Sequence, residues 1–300
     1  MIYLTKEDWN NLILSKLSKK ESFMQQFAEL FKLNTVFRYF TKNIYSKAAT
    51  PQEQTYILLA SLVIFHKYRI STNFSVNKYS SAEIYIIIGA CLSIGQVVVN
   101  ALLMPVKILS EYIKREIDKR YPDKNIELKK IIEKLKEKKF EILLSTGFNI
   151  EVDFPFYYYN KIKNHLLKIQ NFPQNSISFL NSLIKESFIM PFCLYYTPNI
   201  ITISSVLILK EKFKLNYINI KELISLSDYD LNEADILECT SLLQALDAAV
   251  IQVITEKTNG IKGTENIKTN NNINNTDANQ ANSAQTSITK IIPSININTE

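Results

Sequence analysis

Apolar side chains recur every three to four residues through most of the first 256 positions, with few alternating runs, so the pattern predicts helices. Thr5 to Lys16 reads as a short amphipathic helix, with Thr5 as N-cap, Asp8 in the first turn and a stripe of Trp9, Leu12 and Ile13. Phe23 to Tyr45 carries Phe27, Leu30, Phe31, Val36, Tyr39, Phe40 and Ile44, enough for one helix or two. Thr50-Pro51 opens a strong helix to about Tyr68, with proline at its first position. Ser81 to Val99, Met104 to Lys119 and Leu128 to Thr146 follow, the last stopped by Gly147, a residue suited to a left-handed cap.

After Pro155 the cluster Phe156 to Tyr159 leads into a second helical set. Ser176 to Tyr195 reads as a helix interrupted near Pro191, Pro198 to Glu211 as another, and Asp228 to Glu256 as one or two more. Two uncharged stretches, Ile84 to Val106 and Ser187 to Leu209, reach the ~20 residues that cross a bilayer. Ser93, Gln96, Asn100 and Pro105 in the first, and Pro191, Pro198 and Asn199 in the second, favour buried helices at the centre of folded sets. From Lys257 the chain turns to Asn, Thr and Ser and can bury little apolar surface. A disordered tail is expected there, with Ile288 to Ile297 as a weak docking strip.

Composition changes this picture little. Forty-six per cent apolar residues over 300 positions supports real cores, and 5 Gly with 8 Pro suits short connections. Net charge is +6, but its largest charged run, Glu127 to Lys139, alternates signs around Ile131, Ile132 and Leu135, as a solvated helix face does. No nucleic-acid partner is expected from it. Cys91, Cys193 and Cys239 are far apart and among apolar neighbours, so buried thiols of a reduced, intracellular chain are expected. The start, MIYLTKEDWNN, lacks the basic and apolar regions of a secretory signal.

Candidate chemistry is sparse. The glycines form neither a phosphate-binding loop nor a dinucleotide fingerprint, and His66 and His165 have no partner at metal-ligand spacing. His66 reads as a structural histidine, and Asp235 with Glu238 as solvated helix neighbours. No enzyme, cofactor or metal is expected.

Three segments are more specific. Gly89 to Asn100 reads GACLSIGQVVVN; Phe140 to Phe154 reads FEILLSTGFNIEVDF before Pro155; Asn181 to Ser204 reads NSLIKESFIMPFCLYYTPNIITIS. In order and spacing they resemble the cyclins, most closely the transcription-type cyclins of the C and H kind. The first resembles the ACLFLAxKVEE-like run in the central helix of the first cyclin box, and the second the end of that box's fifth helix. The third resembles the NDSxRTxLCLxYxPxxIA-like pattern of the second box with a short insertion, and Cys193 to Pro198 is its most specific part. YILLASLVIFHKY, Tyr56 to Tyr68, is similar to the box's first helix, including a basic residue, Lys67, near its end. The Trp9 helix is similar to the leading helix of the C and H type. The likeness spans residues 5 to 256.

The resemblance implies an all-α fold of two tandem cyclin-box helical domains with an N-terminal helix and a disordered C-terminal tail. Residues 1–158 would hold the leading helix and first box, 159–256 the second box and 257–300 the tail. It also implies a nuclear chain without catalysis of its own, the activating subunit of a cyclin-dependent kinase in RNA polymerase II transcription. Further transcription-complex subunits are expected as partners, and no membrane. The polar start Pro51 to Thr55, where cell-cycle cyclins carry an apolar substrate-docking patch, favours that subtype.

The kinase-binding surface implied by the family falls on Gln96, Val99, Leu103, Lys136, Lys139 and Leu143. Two of these depart from the family, which has a lysine at the place of Gln96 and a glutamate at that of Lys139. Gln96 keeps an amide that could donate to a kinase carbonyl. Lys139 reverses the charge, and Glu137 and Glu141 lie about 160° to 200° around the helix from it. Val98 and Val99 stand where the family has acids, either facing the core or making the surface more adhesive. A divergent cyclin-fold scaffold or transcription adaptor without a kinase is the alternative reading.

Overall fold

The computed structural model describes residues 20–101, 103–122, 126–169, 172–227 and 230–265, with every side chain except those of 20–25, 77 and 257–265. Every regular element among them is helical, so the fold is all-α. The helices are α1 (Lys20–Tyr45), α2 (Pro51–Thr72), α3 (Ser81–Val98), α4 (Val106–Arg120), α5 (Leu128–Ser145), α6 (Phe156–Leu166), α7 (Gln174–Glu186), α8 (Pro198–Lys212), α9 (Ile220–Ser225) and α10 (Glu233–Glu265). Single 3₁₀ turns occupy Val76–Lys78, Ser187–Ile189 and Pro191–Leu194. The expected helix at Thr5 to Lys16 and the tail from 266 onward, with its Ile288 to Ile297 strip, lie outside the described residues. α10 runs to Glu265, past the change in composition at Lys257.

Two compact units result, one ending at Gln244 and the other beginning at Ala245. In the second, Leu246, Ala249 and Val250 are buried and Ile251 is exposed.

Local sequence sets where the helices of the first unit start. Thr50 and Ser80 each accept from the backbone N–H three residues on, and the carboxylates of Glu53 and Glu83 bond back to the cap N–H, closing two capping boxes. These hydrogen bonds hold both carboxyls below the ordinary glutamate range. α5 ends as expected at Gly147, φ 59°, and Phe148 follows it into the left-handed region at φ 57°. The Phe148 N–H then bonds the Leu143 carbonyl at 2.7 Å.

α3 is the centre of the first helical set. It packs against α1, α2, α4 and α5, and from Ile84 to Gln96 every residue is buried. Its two glycines permit close approach on different faces. A Cβ at Gly95 would meet Ser61 Oγ and the Ile57 carbonyl of α2, and one at Gly89 would meet Ile113 of α4 and Leu135 of α5. α1 packs on both α2 and α3, so this five-helix set begins with α1, and Pro51–Thr72 is its second helix rather than its first.

In the second set α8 takes the central place, against α6, α7 and α9. Ser204 on α8 donates to the Ile236 carbonyl of α10 at 3.0 Å. The uncharged run Ser187 to Leu209 is not one helix. It is two 3₁₀ turns, then a start at the Thr197 cap with Pro198 behind it, because each proline removes a helical N–H. By length and composition two helical stretches among the described residues could cross a membrane, Ser81–Val98 and Glu233–Glu256. The first is 78% buried, as the middle of a folded set demands, and the second 33%.

Two neighbouring residues of α2 tie distant segments together. His66 Nε2 lies 3.0 Å from the Phe188 carbonyl, which fixes the proton on that nitrogen and joins α2 to the 3₁₀ turn after α7. Lys67 Nζ donates to the Asn149 carbonyl (3.1 Å), Asn149 Oδ1 (3.0 Å) and the Glu151 carbonyl (2.9 Å), holding the α5–α6 connection. Burial pulls the Lys67 ammonium down, against the pull of Cys193, Glu151 and Asp153. A Lys67→Met variant keeps the stem and loses all three bonds. Its expected cost is about 1 kcal/mol, because Glu151 is exposed and its carbonyl regains water. Faster hydrogen exchange confined to residues near 149–151 would accompany it; unchanged exchange there would contradict this anchoring role.

Candidate partner-binding surface

The residues singled out by sequence fall on the C-terminal end of α3, the connection to α4, and α5. Gln96 is 3% exposed. Its side-chain oxygen accepts from Tyr45 Oη and the Met104 N–H, both at 3.0 Å, and its Nε2 donates to the Met104 carbonyl at 3.2 Å. Burial pushes the Tyr45 phenol up, so it remains a donor. The expectation that this amide reaches a partner is therefore corrected: Gln96 clamps the end of α1 and the α3–α4 connection. What it presents is Leu103, next to the clamped Met104 and 60% exposed.

Val99 is the half-buried C-cap of α3, its N–H bonded to the Gly95 carbonyl, and Val98 is also half-buried. Val97 is exposed and with Val98 lines one side of a groove of about 410 Å³. Ile150 to Asp153, in the connection anchored by Lys67, form its other side.

α5 buries Ile131, Leu135 and Ile142 and turns its other faces outward. Lys136 is exposed; Lys139 and Leu143 are half-buried. The structure thus gathers Lys136, Lys139 and Leu143 on one helix, with Val99 and Leu103 at the far end of α3, against which α5 packs. Gln96 alone of the six is enclosed.

Sequence reasoning passed over the largest apolar side chains on this surface. Phe140, Leu144 and Phe148 are 58%, 53% and 57% exposed. Their signal was present: with Ile131, Leu135 and Ile142 inward, 140 and 144 lie more than ~100° from the buried stripe. Glu141 also has a defined role. Tyr68 Oη donates to its Oε1 at 2.6 Å and Lys138 Nζ to its Oε2 at 2.6 Å. Partial burial would raise this carboxyl, and the two hydrogen bonds outweigh it and hold the group below the usual range.

Chemistry is otherwise muted. Among the described residues no three His, Cys, Asp or Glu side chains are grouped to hold a metal ion. All three cysteines are free thiols. Burial raises each, Cys193 and Cys239 to about 12, so none is a ready nucleophile. A second groove, about 500 Å³, lies between His165 and Lys168 at the C-terminal end of α6 and Tyr217, Asn219 and Glu222 around the start of α9.

No model of a known protein family matches this chain. No curated protein matches it. Among solved structures, a chain in the structure of the CAK complex from Chaetomium thermophilum bound to ATP-γ-S is similar, at 13% identity and a TM-score of 0.34 over 73% of this chain and 74% of that one.

Proposed function

We propose that this chain is a cyclin-type activating subunit of a protein kinase, acting in nuclear transcription, and that it docks its kinase on the surface formed by α5 and the C-terminal end of α3. The observation that carries the reading is the row of exposed apolar side chains Phe140, Leu144 and Phe148 on and just after α5, a helix packed on the buried central helix. Large apolar groups left in solvent together mark an interaction surface. The resemblance of the three sequence segments to transcription-type cyclins supplies the class of partner, and the helical set around α3 supports it.

In this reading the chain's contribution is mechanical. α5 and the Leu103 connection press on the kinase's regulatory helix and shift it toward the conformation in which a catalytic Lys–Glu pair is closed. Val99, Lys136, Lys139 and Leu143 contact the kinase, and Gln96 positions Leu103 for it. One observation favours the alternative of a scaffold or adaptor without a kinase: Lys139 is a cation where the family carries an acid.

The test is a Phe140→Ser/Leu144→Ser double variant. Both positions are exposed, so stability should change by no more than ~0.5 kcal/mol for each. Affinity for the kinase that accompanies the wild-type chain should fall about 10- to 100-fold, the loss of two apolar anchors. Wild-type affinity and wild-type kinase activation by the variant would overturn the assignment of this surface.

A further inference from the structure

α5 contains six lysines and three glutamates, and they are not mixed at random. At about 100° per residue, Glu133, Glu137 and Glu141 all fall on one flank, together with Lys130, Lys134 and Lys138. That flank is balanced and internally wired: Lys138 pairs with Glu141 at 2.6 Å, and Glu83 of α3 lies in the field of Lys134 and Lys138. The remaining lysines, Lys129, Lys136 and Lys139, share the adjoining flank with Ile132, Phe140 and Leu143, within about 100° of arc. No acid lies in that arc, and the nearest one, Glu133, is about 20° beyond Phe140. None of these three lysines has an ion pair or hydrogen bond with a described residue, and Lys129, Lys136 and Phe140 are exposed.

We infer that this flank of α5 receives an amphipathic helix of the partner whose apolar row is bordered by Asp or Glu. Leucine-like side chains of that helix lie over Ile132, Phe140 and Leu143, and its carboxylates meet Lys129, Lys136 and Lys139. The inference rests on the reading of α5 as the docking surface and fixes the chemistry of what docks there. A partner with a basic border, complementary to an acid at position 139, is rejected by like charge. The interleaved apolar groups distinguish a peptide helix from nucleic acid, which offers phosphates but no apolar row to cover Phe140.

The full chain is titrated with two synthetic helical peptides of roughly 18 residues, long enough to hold a helix in water. They share one leucine row and differ in having glutamate or lysine along its borders; a mixed-sequence DNA duplex is the third probe. The glutamate peptide should bind at least about tenfold tighter than the lysine peptide, and the preference should weaken at high salt. A Lys129→Glu/Lys136→Glu/Lys139→Glu variant should reverse it, whereas Lys130→Glu/Lys134→Glu on the balanced flank should leave it within about twofold. Phe140→Ser should weaken the glutamate peptide about tenfold.

Equal binding of the two peptides, or a preference unmoved by the triple variant, overturns the inference. So does a duplex that binds as tightly as the glutamate peptide and ignores Phe140→Ser. The kinase reading fails separately. If no kinase accompanies the chain but the peptide preference holds and reverses, the chemistry of the flank stands with a partner of another class. If the kinase binds wild type and triple variant alike, this inference falls and the regulatory reading survives.

Discussion

Lowering the pH from 7 to 5 is expected to cost the wild-type chain about 2 kcal/mol more stability than it costs a His66→Gln variant. His66 is fully enclosed, and burial pulls its imidazole down to about 4, with the charge of Arg69 adding to the fall and the Phe188 carbonyl opposing it. In the unfolded chain the same group titrates at ~6.5. Between those values the unfolded state binds the proton and the folded state does not, so stability falls as pH falls. The contribution is complete above about pH 6.5 and is lost progressively on the way to pH 4. Nδ1 has no hydrogen-bond partner among the described residues, which is tolerable for a bare acceptor; protonation would strand an N–H there instead. Glutamine can donate to the Phe188 carbonyl without titrating, so the carboxylates contribute alike to both proteins and cancel. Urea unfolding at the two pH values measures the difference. Parallel losses in the two proteins would show that His66 is not the acid-sensitive joint between α2 and the turn after α7.

A Gly95→Ala variant should lose about 2 kcal/mol, whereas Gly89→Ala should be close to neutral. Both changes gain up to ~1 kcal/mol of helix propensity. At Gly95 the new methyl meets the Ile57 carbonyl oxygen and the Ser61 nitrogen, each at 3.0 Å, as well as Ser61 Oγ, which already donates to Ile57 at 2.6 Å. Those are mostly backbone atoms, and α2 cannot retreat while His66 and Lys67 hold it to two other segments. Overpacking of that kind costs ~1–3 kcal/mol, occasionally more. At Gly89 the nearest atom is Ile113 Cδ1, the far end of a side chain that can turn, followed by Leu135 Cδ1 at 3.3 Å. Denaturant midpoints of the two variants provide the comparison. Equal effects would mean that α3 and α2 are not in the close contact described.

The difference between those glycines illustrates what sequence could and could not reveal. Helix positions were legible where local chemistry decides them: the Thr50-Pro51 start, the stop at Gly147, and the uniformly apolar α3. The short α9 escaped because six residues do not establish a period. The role of Gln96 was out of reach, since it depends on Tyr45, 51 residues earlier in the chain. So did that of Glu141, whose partner Tyr68 lies 73 residues away. The family resemblance drew attention to individual counterparts such as Lys139. It drew none to Phe140 and Leu144, which only a projection of the whole helix turns outward, nor to the sorting of charge across α5.

The central claim, that this chain binds and activates a protein kinase, is tested most directly by purifying the tagged chain gently from its native cells. The co-purifying proteins are then identified, and the eluate is assayed on a polymerase-tail peptide. A stoichiometric kinase, active on that peptide and lost with the Phe140→Ser/Leu144→Ser variant, is the predicted result. A folded chain that elutes without kinase or kinase activity would contradict it, leaving an all-α scaffold whose partners meet α5 for another purpose.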